Sequence, residues 1–321
     1  MDRDVVIVGA GMAGMYMLHH LRELGFSAVV LEQGGGVGGT WYWNRYPGAR
    51  CDVPSLEYSF GFSPELEQEW EWTEVFPSQP ELEAYLNHVA DRFDLRRDIR
   101  LNTRVAAATF DETTDTWTVR TDAGDEIEAR WCVMATGCLS KPLVPDFAGL
   151  DTFEGPVVFT SMWPEDLDLT GKRVAVVGTG SSGVQSIPEI AQIAEHLVVF
   201  QRTPTFTWPS FNGPLEPEVQ AETKSRYREL RAGQRADPGG VTGSTGAIVV
   251  YMATAEPLLE TTDEERQAKL AELGFSASRV WSDLSTDPDA NEMACEMYRE
   301  MVRRTVDDPE VAEGLSPRGF P

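Results

Sequence analysis

Two copies of the pattern Gly-x-Gly-x-x-Gly constrain this sequence most, because each stands between a β-branched run and a helical pattern. The first copy spans residues 9–14 after the run 5–8, and the second spans 178–183 after the run 173–177. Glycines at this spacing after a strand permit a tight turn that opens a helix, as in the βαβ unit of dinucleotide-binding folds. The sequence therefore predicts an α/β chain with two Rossmann-like dinucleotide-binding units.

Each glycine of the pattern has its own role in holding a nucleotide. The first permits the bend, the second lets the backbone approach a pyrophosphate, and the third lets the helix pack closely on the strand. The pyrophosphate is expected at the helix N-terminus, where unpaired N–H groups and the helix dipole attract anions. The predicted phosphate-binding residues are Gly9, Gly11 and Gly14 in the first turn and Gly178, Thr179, Gly180, Ser181, Ser182 and Gly183 in the second.

The charged residue near the end of each unit's second strand predicts which nucleotide is bound. Glu32 lies 18 residues after Gly14, where a carboxylate accepts hydrogen bonds from ribose hydroxyls and repels a 2′-phosphate. Arg202 lies 19 residues after Gly183, where a guanidinium can pair with a 2′-phosphate through two hydrogen bonds. The first site is therefore predicted to bind FAD or NAD, and the second is predicted to bind NADPH.

Between the two units, the sequence predicts an irregular stretch and then an antiparallel meander. Residues 38–80 are rich in Gly, Pro, Trp and Tyr, which is typical of a long irregular segment that lines a site. Residues 81–93 have a helical pattern. Three strands separated by polar turns are predicted at 100–110, 116–121 and 126–134. This meander is expected to be inserted in the first domain.

The pattern changes to helices in the last third of the chain. Helices are predicted at 217–233, 262–273 and 288–306, separated by stretches rich in Gly, Pro and Asp. Pro-rich sequence after residue 138 suggests a domain boundary. The predicted domains are an FAD-binding domain at 1–145, an NADPH-binding βαβ unit at 146–213 and a helical subdomain at 214–321.

The composition excludes several classes of function. The chain has 27 basic and 52 acidic residues, a net charge of -25, which disfavours nucleic acid and anionic membranes as partners. Its four cysteines include no Cys-x-x-Cys pair, and its four histidines have no metal-ligand spacing. With neither a secretory leader nor an apolar stretch that could span a bilayer, the chain is predicted to be cytoplasmic, without disulfides or metal.

The segment 38–52 contains Gly-Gly-x-Trp, then Tyr-Pro-Gly, then Asp, and it resembles a signature of the type I Baeyer–Villiger monooxygenases. A second stretch, 153–164, resembles the family fingerprint Phe-x-Gly-x-x-x-His-x-x-x-Trp-Pro, with Phe159 at the position of the histidine. Residues 137–142 and 201–204 also look like this family. The resemblance covers essentially the whole chain and is greatest to the phenylacetone-monooxygenase-like branch.

The resemblance implies an FAD- and NADPH-dependent enzyme that inserts one oxygen of O2 next to a ketone carbonyl, through a C4a-peroxyflavin, to give an ester or lactone. Asp52 matches the family's aspartate that pairs with an active-site arginine, which makes it the expected catalytic residue and part of the cofactor site. A purely structural carboxylate is the alternative. The resemblance also assigns cofactor binding to Gly39, Thr40, Trp41, Tyr58, Val105, Gln185 and Thr203.

The end of the sequence bears on whether this chain is active by itself. In the family, the arginine follows a Lys/Arg-Gly-Tyr/Phe-Pro segment, which matches 318–321, so the arginine is expected beyond Pro321. A single Ala-Thr-Gly turn, at 135–137, is present. The chain is therefore expected to be an N-terminal portion or truncated homologue, with open sheets that a second chain could complete. The alternatives are a flavin monooxygenase that oxidises nitrogen or sulfur and a non-catalytic nucleotide-binding remnant.

Overall fold

The computed structural model describes residues 2–139, 141–237, 240 and 256–318. The chain divides into two compact units, each built from discontinuous segments. The first comprises Met1–Ala49 and Ser78–Asp168, and the second comprises Arg50–Pro77 and Leu169–Pro321. Parts of the predicted sequence motifs at Ser140 and at 319–321 lie outside the described residues. The domain boundaries near 145 and 213 stay predictions.

The first unit is organised around one mixed six-stranded sheet. Its order is β3-β2-β1-β6-β5-β4, in which β3, β2, β1 and β6 are parallel neighbours and β6, β5 and β4 form the antiparallel meander. The strands are β1 (Arg3–Val8), β2 (Ala28–Leu31), β3 (Ile99–Arg100), β4 (Val105–Asp111), β5 (Thr116–Thr121) and β6 (Glu126–Met134). The first βαβ unit and the meander are both present, and the predicted α/β fold class is confirmed.

The predicted single strand at 100–110 is wrong, because it is two strands at opposite edges of the sheet. β3 pairs with β2, whereas β4 pairs with β5. Asn102 lies between them with a φ of 52°, in the left-handed region that a continuous strand does not adopt. Its N–H donates to the carbonyl of Gly34 at 2.9 Å. This turn separates the two strands.

The helices of the first unit are α1 (Met12–Glu23), α2 (Thr40–Trp43) and α4 (Gln79–Arg92). In this unit, α1 packs against β1 and β2, and α2 packs against α4. The first helix buries Met15 and Leu18 completely. The helix α4 follows Ser78, has a proline in its first turn, and buries Leu82 and Leu86 completely. A proline at that position suits a helix start, because the first N–H groups have no partner within the helix.

The second unit contains a two-stranded parallel sheet and a set of helices. β7 (Arg173–Val177) pairs with β8 (His196–Phe200), and α5 (Ser181–Ile193) connects them. The helix predicted at 217–233 is interrupted at Arg226, where φ is -126°, and becomes two helices. The other helices are α3 (Pro64–Glu69), α6 (Pro217–Ser225), α7 (Tyr227–Ala236), α8 (Asp263–Leu273), α9 (Pro288–Thr305) and α10 (Pro309–Leu315).

Candidate dinucleotide-binding sites

Two of the three glycines in the first glycine turn have no room for a side chain. Gly9 has a φ of +104°, and a Cβ there would lie 2.6 Å from the carbonyl oxygen of Ala135. A Cβ on Gly14 would lie 1.9 Å from the carbonyl oxygen of Gly9. No other residue fits these positions, so the turn holds β1, α1 and the end of β6 together at the carboxyl edge of the sheet.

The Gly-Gly-x-Trp segment packs directly on this turn. The N–H of Gly38 donates to the carbonyl of Ala10 at 3.0 Å. Gly39 has a φ of +56°, and a Cβ there would lie 2.9 Å from the Cα of Gly11. Because two glycine backbones approach this closely, the signature presents Thr40 and Trp41, the first residues of α2, beside the predicted pyrophosphate position.

Glu32 is almost completely buried, at 5% exposure, beside the first turn. Its Oε2 accepts a hydrogen bond from the N–H of Ala10 at 2.7 Å, and its Oε1 accepts one from the N–H of Gly34 at 2.8 Å. Each carboxylate oxygen can accept a further hydrogen bond. Glu32 therefore shapes the loop and keeps acceptor capacity for ribose hydroxyls.

The second glycine turn repeats the first with one informative difference. Gly178 again has a φ of +104°, and a Cβ on Gly183 would lie 2.4 Å from the Gly178 carbonyl oxygen. A Cβ on Gly180 would meet nothing within 4 Å. The protein itself therefore leaves open space at the glycine that a pyrophosphate requires, and this space fits the predicted ligand.

The residues after β8 face solvent, as the NADPH prediction requires. Arg202 and Thr203 are exposed. The described part of the chain records no ion pair for Arg202. The Oγ1 of Thr179 contacts the side chain of Gln201 at 3.4 Å, which joins the glycine turn to the end of β8. A guanidinium without a carboxylate partner can bind a phosphate at lower desolvation cost.

The two helices that open at these turns differ in charge from the others. Among described helices of six or more residues, α1 and α5 are the two without an acidic residue in the first turn. Neither has a side-chain N-cap hydrogen bond. Carboxylates near a helix N-terminus compete with a bound anion for the same N–H groups and dipole. In a chain with a net charge of -25, this pattern fits two phosphate sites.

Asp52 lies in the second unit and is exposed. Two residues before it, Arg50 Nη1 donates to Glu74 Oε2 at 2.5 Å and to the carbonyl of Phe76 at 2.7 Å. Burial alone raises the pKa of Glu74, but hydrogen bonds from Arg50 and Asn212 outweigh it and hold that pKa below its usual 4.5. The segment that carries Asp52 is thus anchored by an ionised pair.

Cys51, which directly precedes Asp52, is buried. Burial raises the pKa of its thiol to about 12, so the thiol stays protonated at neutral pH and is a poor nucleophile. All four cysteines are free. The described residues include no group of three or more side chains able to hold a metal ion, and none of their helices is long and apolar enough to cross a bilayer.

Arg45 is a site residue that the sequence patterns did not identify. Its Nη2 donates to Glu83 at 2.6 Å, its Nε donates to the carbonyl of Tyr42 at 2.8 Å, and its Nη1 pairs with Glu165. It therefore ties the signature segment to α4 and to the stretch that carries the Trp-Pro fingerprint. The sequence offered one indication of this role, which is that Arg45 lies inside the 38–52 signature.

Phe159, at the position of the fingerprint histidine, is half-buried and immediately precedes a short 3-10 helix at Thr160–Met162. That helix packs against α2. A phenylalanine can contribute apolar packing at this point but offers no hydrogen bond.

The structure separates the predicted site residues into two groups, one in each unit. The first unit brings together the first turn, Glu32 and the signature residues 39–41, and Val105 is half-buried at the start of β4. The second unit contains the second turn, Arg202, Thr203 and the segment with Asp52. Tyr58 is half-buried in the same unit. Gln185 contacts Arg50 rather than standing free.

Comparison with known proteins places the chain among nucleotide-dependent oxidoreductases. A family model described as pyridine nucleotide-disulphide oxidoreductase matches residues 6–263. The phenazine N-monooxygenase of Lysobacter antibioticus is 39% identical over 322 residues, covering 98% of this chain and 58% of that protein. The acetone monooxygenase (methyl acetate-forming) of Gordonia sp. strain TY-5 is 39% identical, covering 99% of this chain and 59% of that protein.

A solved structure of an oxidized steroid monooxygenase bound to NADP is 50% identical, with a TM-score of 0.88, and the match covers 100% of this chain and 61% of that one. The chain thus spans about 60% of the length of the relatives it matches.

Proposed function

The chain belongs to the pyridine nucleotide-disulphide oxidoreductase family. From its 38–52 signature and its similarity to monooxygenases, we propose that it acts as an FAD- and NADPH-dependent Baeyer–Villiger monooxygenase. The substrates are a small-molecule ketone and O2, and the product is an ester or lactone. One structural observation supports the two cofactors of this proposal. Two glycine turns, followed by Glu32 in one case and Arg202 in the other, open the two helices that lack acidic first turns.

The first site is assigned to FAD. The backbone at Gly11 and the α1 N-terminus receive the pyrophosphate, and Glu32 accepts hydrogen bonds from the ribose. Gly39, Thr40 and Trp41 border that position because Gly39 packs on Gly11. Tyr58 and Val105 complete the assigned set. When bound, the flavin would supply the redox and oxygen-transfer chemistry.

The second site is assigned to NADPH. The backbone of 178–183 receives the pyrophosphate through the open space at Gly180. Arg202 pairs with the 2′-phosphate, Thr203 flanks it, and Gln185 lies on the helix that the turn opens. A carboxylate at position 202 would repel the same phosphate, which is the difference from Glu32 in the first unit.

Asp52 is assigned an electrostatic role in the reaction. Its exposure and its anchored backbone suit a carboxylate that pairs with a cation from elsewhere in the protein. The Asp52 side chain holds that cation in place for charge stabilisation at the reacting carbonyl. Because the relatives are longer than this chain, the activity is proposed for the protein as a whole.

We also propose that a second chain covers the open two-stranded sheet of the second unit and that the protein is cytoplasmic. Val177 is 65% exposed and Phe200 is 55% exposed on that sheet. Apolar strand residues at this exposure favour association. Four free cysteines suit a reducing compartment.

The purified chain tests the proposed function directly. Flavin absorbance after reconstitution, NADPH-dependent bleaching, and O2-dependent conversion of a ketone to an ester are the expected results. A parallel assay with a thioether and a heteroaromatic amine tests oxidation at sulfur or nitrogen, which the phenazine N-monooxygenase relative makes relevant. NADPH binding without any oxidation, both in this chain and after sequence downstream of Pro321 is restored, would instead support a non-catalytic role.

A further inference from the structure

The side-chain amide of Gln185 pairs with the backbone of Arg50. Its Nε2 donates to the carbonyl of Arg50 at 3.0 Å, and its Oε1 accepts from the N–H of Arg50 at 3.3 Å. Gln185 is the fifth residue of α5, the helix that the second glycine turn opens. This pairing therefore joins the predicted NADPH helix to the backbone two residues before Asp52.

The backbone of residues 50–55 also forms hydrogen bonds with residues 75–77 of the same chain. The N–H of Cys51 donates to Pro77 at 3.0 Å, and the N–H of Ser55 donates to Val75 at 2.8 Å. Residues 50–55 thus run along 75–77, with Asp52 between these two contacts. The N–H of Val75 in turn donates to Gly213 at 3.0 Å. Asp52 lies on a supported strip of backbone, and Gln185 links that strip to α5.

We propose that Gln185 is a positioning residue that couples the second dinucleotide site to Asp52. A dinucleotide bound at the α5 N-terminus reduces the motion of that helix. Through the hydrogen bonds of the Gln185 amide, the motion of Arg50, and therefore of Asp52, is reduced as well. This role replaces the nucleotide contact that the resemblance assigns to Gln185, because both polar atoms of its amide are hydrogen-bonded to the backbone of Arg50. The proposal rests on the proposed function, since that function assigns NADPH to this turn and a role to Asp52.

Hydrogen exchange measured by mass spectrometry on the full chain tests the coupling, with NADP+ as the probe. Gln185→Ala removes both hydrogen bonds to Arg50. Gln192→Ala changes an exposed glutamine on the same helix and serves as the matched control. The peptides followed are those that cover 50–56 and 178–183, each with and without saturating NADP+.

Without ligand, Gln185→Ala should speed exchange across 50–56 by roughly tenfold, as expected when two hydrogen bonds are lost. Gln192→Ala should not change it. If exchange at 50–56 is the same in native and Gln185→Ala protein, the link to Arg50 is wrong whatever the function of the protein. This arm does not depend on nucleotide binding.

With NADP+, the native chain should show slower exchange at both 178–183 and 50–56. In Gln185→Ala the slowing should persist at 178–183 and disappear at 50–56. Slowing at both segments in the variant would overturn the coupling, and loss of all NADP+ binding would mean that Gln185 contacts the nucleotide. No slowing at 178–183 in the native chain would contradict the proposed function instead.

Steady-state kinetics of the protein as a whole, with sequence downstream of Pro321 restored, add a readout that general loosening of the fold would not give. Gln185→Ala should lower kcat with ketone while the KM for NADPH changes less than about threefold. Gln185→Asn keeps the amide but shortens its reach, so its kcat should remain below that of the wild type. A rise in KM at unchanged kcat would contradict a positioning role.

Discussion

At the scale of single residues, two positions of the second glycine turn require glycine for different reasons. Gly183 has no room for a Cβ because of the carbonyl of Gly178 at 2.4 Å, whereas Gly180 faces open space. Gly180 has a φ of -75°, which any residue adopts. The glycine at 183 therefore serves the fold, and the glycine at 180 serves a ligand.

Alanine at each position should give opposite results. Gly183→Ala should lower the free energy of unfolding by about 1–3 kcal/mol, because the new methyl group displaces the turn. Gly180→Ala should change stability by less than about 1 kcal/mol and should weaken NADP+ binding by at least about tenfold, through lost N–H contacts to the pyrophosphate. Thermal unfolding and calorimetric titration measure the two effects. Unchanged NADP+ affinity in Gly180→Ala would contradict the assignment of this site.

Arg202 predicts a preference between nucleotides. Arg202→Ala should weaken NADPH binding by roughly tenfold to hundredfold, the range for hydrogen bonds between charged groups, and should leave NADH binding unchanged. Arg173→Ala is the matched control, because Arg173 is an exposed arginine at the opposite end of the same two-stranded sheet. Titration of each variant with NADPH and NADH gives the ratio. Equal losses of NADPH affinity in Arg202→Ala and Arg173→Ala would indicate a general effect of charge.

At the scale of elements, residues 50–77, apart from the short helix α3, hold their shape through hydrogen bonds to distant segments of the chain rather than through regular secondary structure. Segment 73–75 pairs with 213–215, and Asn212 donates to Glu74 and accepts from the N–H of Phe76. Arg50 completes the arrangement by its ion pair with Glu74. Long irregular segments of this kind are stable only where other backbone groups, side chains or water satisfy their buried backbone groups.

This arrangement should respond to acid through Glu74. Because its pKa in the folded chain lies below the usual 4.5, Glu74 contributes stability above that pH and loses it as the pH falls through the folded-state pKa. Glu74→Gln should therefore be less stable than wild type at pH 7 and show a shallower loss between pH 5 and pH 3. Unfolding followed at each pH tests this, with the exposed Glu195→Gln as control. Parallel curves for wild type and Glu74→Gln would show that this pair contributes nothing.

At the scale of the whole molecule, apolar residues remain exposed on the small sheet of the second unit. Val198 and Val199 are 39% and 38% exposed, beside the more exposed Val177 and Phe200. Across the described residues, no further strand covers or extends this sheet. A two-stranded sheet is marginal alone, so this face favours a partner.

Native mass measurement tests the proposed second chain. In purified protein the available partner is another copy, so species heavier than 35.6 kDa are expected at micromolar concentration. Phe200→Glu should return the protein to the monomer mass, because a carboxylate on this face opposes burial. Val311→Glu, at an exposed valine on α10, should not. A native chain that stays monomeric at every concentration would refute the proposal.

The sequence by itself determined the local chemistry of both turns. Strand, turn and helix at 5–14 and 173–183 follow from glycine spacing and hydrophobic pattern, and β5 and β6 have the predicted bounds. These features depend on neighbours within a few residues, and a positive φ at Gly9 or Gly178 is readable from the pattern. The charges at Glu32 and Arg202 were equally readable, since their distance from each turn is constant in a βαβ unit.

Only the tertiary structure decided how distant segments meet. It separated β3 from β4 across the sheet, divided the chain into two discontinuous units, and paired Gln185 with Arg50, 135 residues apart. An amide can bond any backbone within reach, and its sequence neighbours do not say which one. The ion pairs of Arg45 and Arg50 are undetermined for the same reason. Local geometry is encoded by short patterns, whereas these partners are selected by packing of the whole fold.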